Sequence, residues 1–495
     1  MPIALGYDIG SSSIKCALFD YESGKLITNA SYPPDEMEIR SPKPGWAEQD
    51  PESWWEHVKT VTKMALSRAS TDPQRIMSIG ISYQMHGLVL VDKEGKVLRP
   101  SIIWCDSRAV EIGNKAFEAI GPQRCLEHLL NSPGNFTASK LRWVKENEPK
   151  TYDKIFKAML PGDYIAYRLT GEISSTISGM SEGMFWDFRK NELSRDVLTT
   201  YEIDAAILPT LHPTFSVQGT VTRSAAQELG LKEGIAVSYR AGDQPNNALS
   251  LHVLQPGEIA ATAGTSGVVY GVIDQVRYDR LSRVNQFAHV NHSNDHIRLG
   301  VLLCVNGTGI LNSWPRKNAA AGLSYDEMNR QADRVPIGAD GLSILPFGNG
   351  AERVLENRNI GSRVLGLDFN RHSLAHIVRA AQEGIAFSLK YGVDIMNEMG
   401  LNIRVIRAGR SNMFLSPVFR QTFSTVTGAA IELYDTDGAQ GAARGAAVGS
   451  KACTFEEAFR SFTSLDTIEP REGNRGITLN AYNRWVSHLN RALAE

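Results

Sequence analysis

Cysteine is scarce in this chain: Cys16, Cys105, Cys125, Cys304 and Cys453 are five among 495 residues, odd in number and without C-x-x-C spacing. That excludes a disulfide framework and a cysteine-ligated zinc site, and reads as reduced thiols in or near the core. Charge of one sign is lacking too. With 52 Lys and Arg against 54 Asp and Glu the formal net charge is −2, so neither nucleic acid nor a membrane surface has an electrostatic claim on it. No run approaches the roughly 18 unbroken apolar residues of a membrane span, and the N-terminus has no basic-then-apolar leader; a cytoplasmic protein is the expectation. Several catalytic signatures are also missing: a G-x-x-x-x-G-K-[ST] loop, an H-E-x-x-H helix and a dinucleotide fingerprint. What remains is an ordinary globular composition, 42% hydrophobic and 21% charged, long enough for two or three domains.

The most telling stretch is the start, Leu5-Gly6-Tyr7-Asp8-Ile9-Gly10-Ser11-Ser12-Ser13-Ile14-Lys15. An apolar strand delivers one carboxylate into a Gly/Ser turn, and alternation resumes through Cys16, Leu18 and Phe19. This predicts a β-hairpin whose turn N–H groups are free to face an anion, beside an acid suited to a divalent cation. Read alone, a single Asp at a strand end is usually a turn or cap residue. Residues 3–31 alternate as a three-stranded meander, turning again at Glu22-Ser23-Gly24. A helix is predicted over 51–68, N-capped by Asp50 and burying Trp54, Trp55, Val58 and Val61.

A second beginning occurs at Glu258-Ile259-Ala260-Ala261-Thr262-Ala263-Gly264-Thr265-Ser266-Gly267. Its spacing mirrors residues 3–19, so an internal duplication is expected: two α/β domains, 1–250 and 251–495, divided where Pro245 and Gln255-Pro256-Gly257 punctuate the chain. Two unrelated hairpins are the alternative. Further on, 372–399 reads as a long amphipathic helix, 403–406 as a buried strand and 417–426 as another helix. The small-residue stretch 438–449 is a helix suited to close approach, to neighbouring strands or to a ligand.

Two further constellations carry candidate chemistry. Asp243, in Ala241-Gly242-Asp243-Gln244-Pro245, ends an apolar run where open α/β sheets bind ligands, and suits deprotonation of a hydroxyl. In Gln84-Met85-His86-Gly87 an amide and an imidazole share a strand-end loop, suited to vicinal hydroxyls or to an internal structural role.

Together these segments resemble the FGGY family of carbohydrate kinases, on its xylulokinase-like side, from Ile3 to about Gly449. Gly45-Trp46-Ala47-Glu48-Gln49-Asp50-Pro51, Trp104-Cys105-Asp106-Ser107-Arg108 and Leu160-Pro161-Gly162-Asp163-Tyr164 add to the likeness. The resemblance implies an actin/hexokinase-like (ribonuclease H-like) fold of two duplicated domains over a cleft. It implies ATP and Mg²⁺ as cofactors and a small sugar as partner, and leaves room for a homodimer. D-xylulose to D-xylulose 5-phosphate is the implied reaction, with ribulose, another ketose or a polyol as alternative acceptor, and a non-catalytic sugar- and ATP-binding module as the remaining class. Carried over, Asp243 is the base, and Met85, His86, Trp104, Gln244 and Asp243 meet the sugar. Gly10, Ser11, Ser12, Ser13, Lys15, Gly264, Thr265, Ser266, Gly307, Gly409 and Asn412 meet the nucleotide, and Asp8 with Asp243 holds the metal. Gln244 replaces the family's usual Asn, and Arg407-Ala408-Gly409-Arg410-Ser411-Asn412 departs from its Gly-Gly-Gly run; Asn246 or Asn247 are candidates for the lost amide contact.

Overall fold

The computed structural model describes residues 2–319 and 322–495. The alternating start folds as its pattern demands. Ile3–Ile9 and Ile14–Asp20 form an antiparallel hairpin in which Asp8 faces Lys15 and Ile9 faces Ile14. Lys25–Tyr32 follows after a turn in which the Asp20 carboxylate accepts from the Glu22 N–H and the Ser23 hydroxyl. Gly24 supplies the left-handed backbone (φ +72°) that this turn requires. Ile76–Tyr83 and Ala236–Gly242, buried along nearly their whole length, join in parallel on the other side of the first strand.

The second half repeats the plan. Glu258–Ala263 and Gly267–Ile273 form an antiparallel hairpin, Leu299–Val305 continues it, and Val405–Gly409 and Ala430–Tyr434 add in parallel. Two edge strands, Asn285–Ala288 and Asp466–Ile468, extend this sheet to seven. Strand order and direction therefore match between the sheets, and the two unrelated hairpins of the alternative reading give way to one duplicated α/β plan.

The predicted helices are present, Pro51–Arg68 with its ends as expected and Leu374–Glu398 and Pro417–Thr427 with ends moved by at most two residues. The strand expected at 403–406 is Val405–Gly409, carried onward because Gly409 pairs with Tyr434. Among the described residues no helix is long and apolar enough to cross a membrane.

One helix joins the halves. Gly438–Gly449 lies against strands of the first sheet at backbone-contact distance. A Cβ on Gly6 would sit 2.0 Å from the Ala439 carbonyl oxygen, and one on Gly80 2.0 Å from that of Ala442. A Cβ on Gly445 would meet the Tyr239 ring at 2.6 Å. Most of the small-residue stretch thus serves tight helix–sheet contact, while its first residue, Gly438, approaches the carboxylate of Asp8. At the other side of the junction the edge strand Asn285–Ala288 is held by side chains of the first half. Asn131 exchanges two hydrogen bonds with the Gln286 backbone, and Ser178 and Ser181 bond the Ala288 carbonyl and N–H.

Gly6→Ala forces a methyl into a backbone contact that cannot yield. Denaturant unfolding is expected to show a loss of about 3 kcal/mol, whereas Gly473→Ala, in an exposed helix with open space around it, costs nothing.

Candidate active site between the two domains

The parallel strands of both sheets end toward one cleft. Asp8 stands near the end of the first strand, Asp243 opens the helix Asp243–Ser250 directly after the strand Ala236–Gly242, and Asp437 caps the Gly438–Gly449 helix by accepting from the Gln440 N–H at 2.9 Å. With Lys15, Gln244, Asn247, Thr262, Gly409, Asn412 and Thr436 they line a cavity of about 280 Å³. Asp8 accepts from the Ser82 hydroxyl at 2.8 Å and has the Lys15 ammonium 3.8 Å away. Burial pushes Asp243 up to about 7, the Asp8 carboxylate adds to that, and hydrogen bonds from Gln244 oppose it. Burial and Asp8 also raise Asp437. Three carboxylates line one small polar cavity, Asp8 beside Lys15 and Asp437 partly offset by Lys15 and Arg444, and offer hard oxygen donors of the kind Mg²⁺ takes directly or through water.

A larger cavity of about 500 Å³ adjoins this one; Ala263 and Asn412 line both. Gly264, Thr265, Gly309, Asn312, Ser313 and Lys317 face it. The helix Gly309–Asn318 is stapled to the second turn, Gly309 N–H donating to the Gly264 carbonyl at 2.9 Å and Ile310 N–H to that of Thr265 at 3.3 Å. Gly309 is needed for this approach, since a Cβ there would lie 2.2 Å from the Gly264 oxygen.

The predicted residues thus separate into groups. Asp8, Lys15, Asp243, Gln244, Gly409 and Asn412 meet around the smaller cavity, and Gly264, Thr265 and Asn412 around the larger. Met85 packs against Gly242, the residue before Asp243, where a Cβ would meet Met85 Cγ at 2.6 Å; Met85 and His86 line neither cavity, and Glu182 links His86 to this turn. Trp104, 53% exposed, stands over the first turn, its indole N–H donating to Ser11 Oγ at 3.2 Å. Ser11 is further held by Gln49, which donates to its carbonyl at 2.7 Å and accepts from Trp54 and Gln84.

Other placements differ from expectation. The turn N–H groups are not all free, because that of Gly10 donates to the Ser13 carbonyl at 3.2 Å; among the described residues those of Ser11, Ser12 and Ser13 meet no acceptor. Ser266 lines neither cavity. Gly307 lines neither of these two cavities; a Cβ there would sit 1.5 Å from the Pro346 carbonyl oxygen, and it borders a third, apolar cavity that shares Ile310 with the larger one. Gly309, two residues on, lines the larger cavity. Asn246 is committed to the Gly438 carbonyl at 2.8 Å, so Asn247 is the amide that reaches the cleft. Arg407 ties Glu258 to Glu432 across the sheet, while Arg410 is exposed. Asp106 accepts from the Ala47 N–H and grips Arg108, which stacks 3.7 Å over Trp46; this segment braces the wall.

Asp437, Lys140 and Glu182 escaped the sequence reading. Asp437 had a signal, an acid before a glycine-led helix. Lys140 and Glu182 had none, being buried polar residues in segments that become neighbours only in the fold.

Residues 3–250 match the model for the N-terminal domain of the FGGY family of carbohydrate kinases, and residues 259–450 that for its C-terminal domain. The chain belongs to the FGGY family of carbohydrate kinases. Sugar kinases of this family use ATP, generally with Mg²⁺. This FGGY chain is 30% identical to a xylulose kinase of Bacillus subtilis, over 82% of its own length and 80% of the relative's. A xylulose kinase of Haemophilus influenzae is 28% identical over 98% and 99%. The crystal structure of xylulose kinase from Rhodospirillum rubrum superposes with a TM-score of 0.90 at 25% identity, covering 100% of both chains. The fold is accordingly the two-domain actin/hexokinase-like one, and the protein is a carbohydrate kinase.

A carboxyl that keeps its proton up to about pH 7 when folded loses it near pH 4 when unfolded. The folded state binds more protons in that window, so stability falls as pH rises through it. Asp243→Asn, free of metal and nucleotide, is expected to melt above the unaltered protein at pH 8, with the gap shrinking at pH 5; thermal scans at both values check this.

Proposed function

We propose that this FGGY kinase transfers the γ-phosphoryl group of ATP to the primary hydroxyl of a ketopentose, turning D-xylulose into D-xylulose 5-phosphate. The observation that carries the reading is Asp243: a carboxyl poised near neutrality, at a strand end, on a cavity continuous with one sized for a nucleotide. The xylulose kinases it resembles along nearly the whole chain support the choice of acceptor.

Residues 1–250 would hold the sugar and 251–495 the nucleotide. In this reading Asp243 accepts the hydroxyl proton as that oxygen attacks phosphorus, and its near-neutral proton affinity suits a base at physiological pH. Gln244 keeps the carboxylate oriented, and Met85 and His86 place the sugar beside it. Lys15 and the free N–H groups of Ser11, Ser12 and Ser13 face phosphate oxygens on one side, with Gly264 and Thr265 on the other. Gly309 and Asn412 border the space for the nucleoside. Mg²⁺, which Asp8 and Asp243 would hold with Asp437 alongside, supplies charge neutralisation at the phosphates.

Sugar-dependent ADP release across D-xylulose, D-ribulose, other ketoses, glycerol and gluconate tests the reading. D-xylulose should give the highest kcat/KM, and Asp243→Ala should lower it by roughly 10²–10⁴-fold while the fold persists. Preference for another acceptor, or near-normal turnover without Asp243, overturns it.

A further inference from the structure

His86 is held at more points than a loop residue needs. Its backbone is left-handed (φ +62°), a region a side chain occupies only where its surroundings impose it. The imposing groups are specific. Its N–H donates to Glu182 Oε2 at 3.2 Å, its carbonyl accepts from Lys140 Nζ at 2.8 Å, and its ring Nδ1 lies 3.0 Å from the Glu182 carbonyl oxygen. Phe136 meets the ring edge-on at 4.6 Å and Phe287, from the second sheet, at 5.3 Å. A carbonyl only accepts, so Nδ1 carries the hydrogen and Nε2 carries the lone pair. Burial, with the charges of Lys140 and Arg353, pushes the imidazole down to about 3, so it stays neutral and that tautomer persists.

Glu182 is the unusual member. It ends the short helix Ile177–Glu182 and is 1% exposed; burial pushes its carboxyl well up, and a hydrogen bond with the Tyr83 hydroxyl opposes that. Oε2 would lie 3.3 Å from a Cβ on Gly242, the residue before Asp243. A buried carboxyl of this kind is costly, and simple loop support does not require one. Its position joins the backbone of His86 to the turn that carries Asp243.

Resting on the sugar-kinase reading above, we propose that Glu182 is the positioning residue of the acceptor side. It fixes His86 in register with Asp243, so that Nε2 is offered as a hydrogen-bond acceptor to one sugar hydroxyl while Asp243 faces the hydroxyl that is phosphorylated. A lost hydrogen bond of this kind corresponds to about tenfold in affinity.

Steady-state kinetics of Glu182→Ala, Glu182→Gln and His86→Ala test this, with KM for D-xylulose and for ATP measured separately. Glu182→Ala should raise the D-xylulose KM about tenfold and leave the ATP KM unchanged. Glu182→Gln, whose amide oxygen still accepts from the His86 N–H, should restore it. An unchanged sugar KM in Glu182→Ala, or equal rises for sugar and ATP, overturns the proposal. Should Glu182→Ala not fold, ¹⁵N chemical shifts of His86 in the unaltered protein decide: hydrogen on Nδ1 and an Nε2 shift that moves with D-xylulose support it, and hydrogen on Nε2 overturns it. If the unaltered enzyme phosphorylates no ketopentose, the functional reading itself has failed. If it does, and only His86→Ala raises the sugar KM, the role of Glu182 alone has failed.

Discussion

The site depends on one contact, the backbone-to-backbone seating of the Gly438–Gly449 helix across Gly6 and Gly80. Nothing larger than hydrogen fits at those two strand positions, where the carbonyls of Ala439 and Ala442 would meet a Cβ at 2.0 Å. That closeness carries Asp437 to the cavity that Asp8 and Asp243 already line. It also makes a helix from the second half part of the first sheet's cover, so the cleft is walled by both halves from the outset.

Carboxylates gathered this way repel one another. Asp243 and Asp437 are both raised, by burial first and by Asp8 second. A fold selected only for stability would separate such groups or pair them with arginine, as Arg108 pairs with Asp106 and Glu48 in the wall nearby. Here Lys15 near Asp8 and Arg444 near Asp437 offset the repulsion only in part, and Asp243 and Asp437 stay raised, which suits a site proposed to take a cation and a proton. The neutral histidine behind Asp243 fits the same logic. Its ring is fixed by a carbonyl and its backbone by Glu182 and Lys140, so on the proposed reading the acceptor side is set before any sugar arrives.

The duplicated hairpins were legible in the chain because alternation of period two and a Gly/Ser/Thr turn are local signals, with Asp8 and Gly264 at their turns; Asp243 was marked by a strand end before Pro245, and Asn412 by the family resemblance alone. The readings that slipped depended on distant partners. Gly307 and Gly309 look alike in sequence, and only the Pro346 and Gly264 carbonyls decide which glycine reaches the cleft. The N–H of Gly10 is consumed by a turn bond to Ser13 that composition does not disclose. Lys140 looks like a surface residue of an ordinary helix until the carbonyls of His86 and Ile103 arrive as its acceptors. Glu182 sits in a segment with no pattern of its own.

The central claim is that Asp243 holds its proton near neutrality because it is buried beside Asp8. Titration of the protein labelled with ¹³C at the aspartate carboxyls, without metal or nucleotide, addresses it directly. The account predicts one resonance titrating near pH 7, absent from Asp243→Asn and moved to lower pH in Asp8→Asn. A protein in which no aspartate titrates above about pH 5, or in which the neutral resonance survives Asp243→Asn, contradicts it.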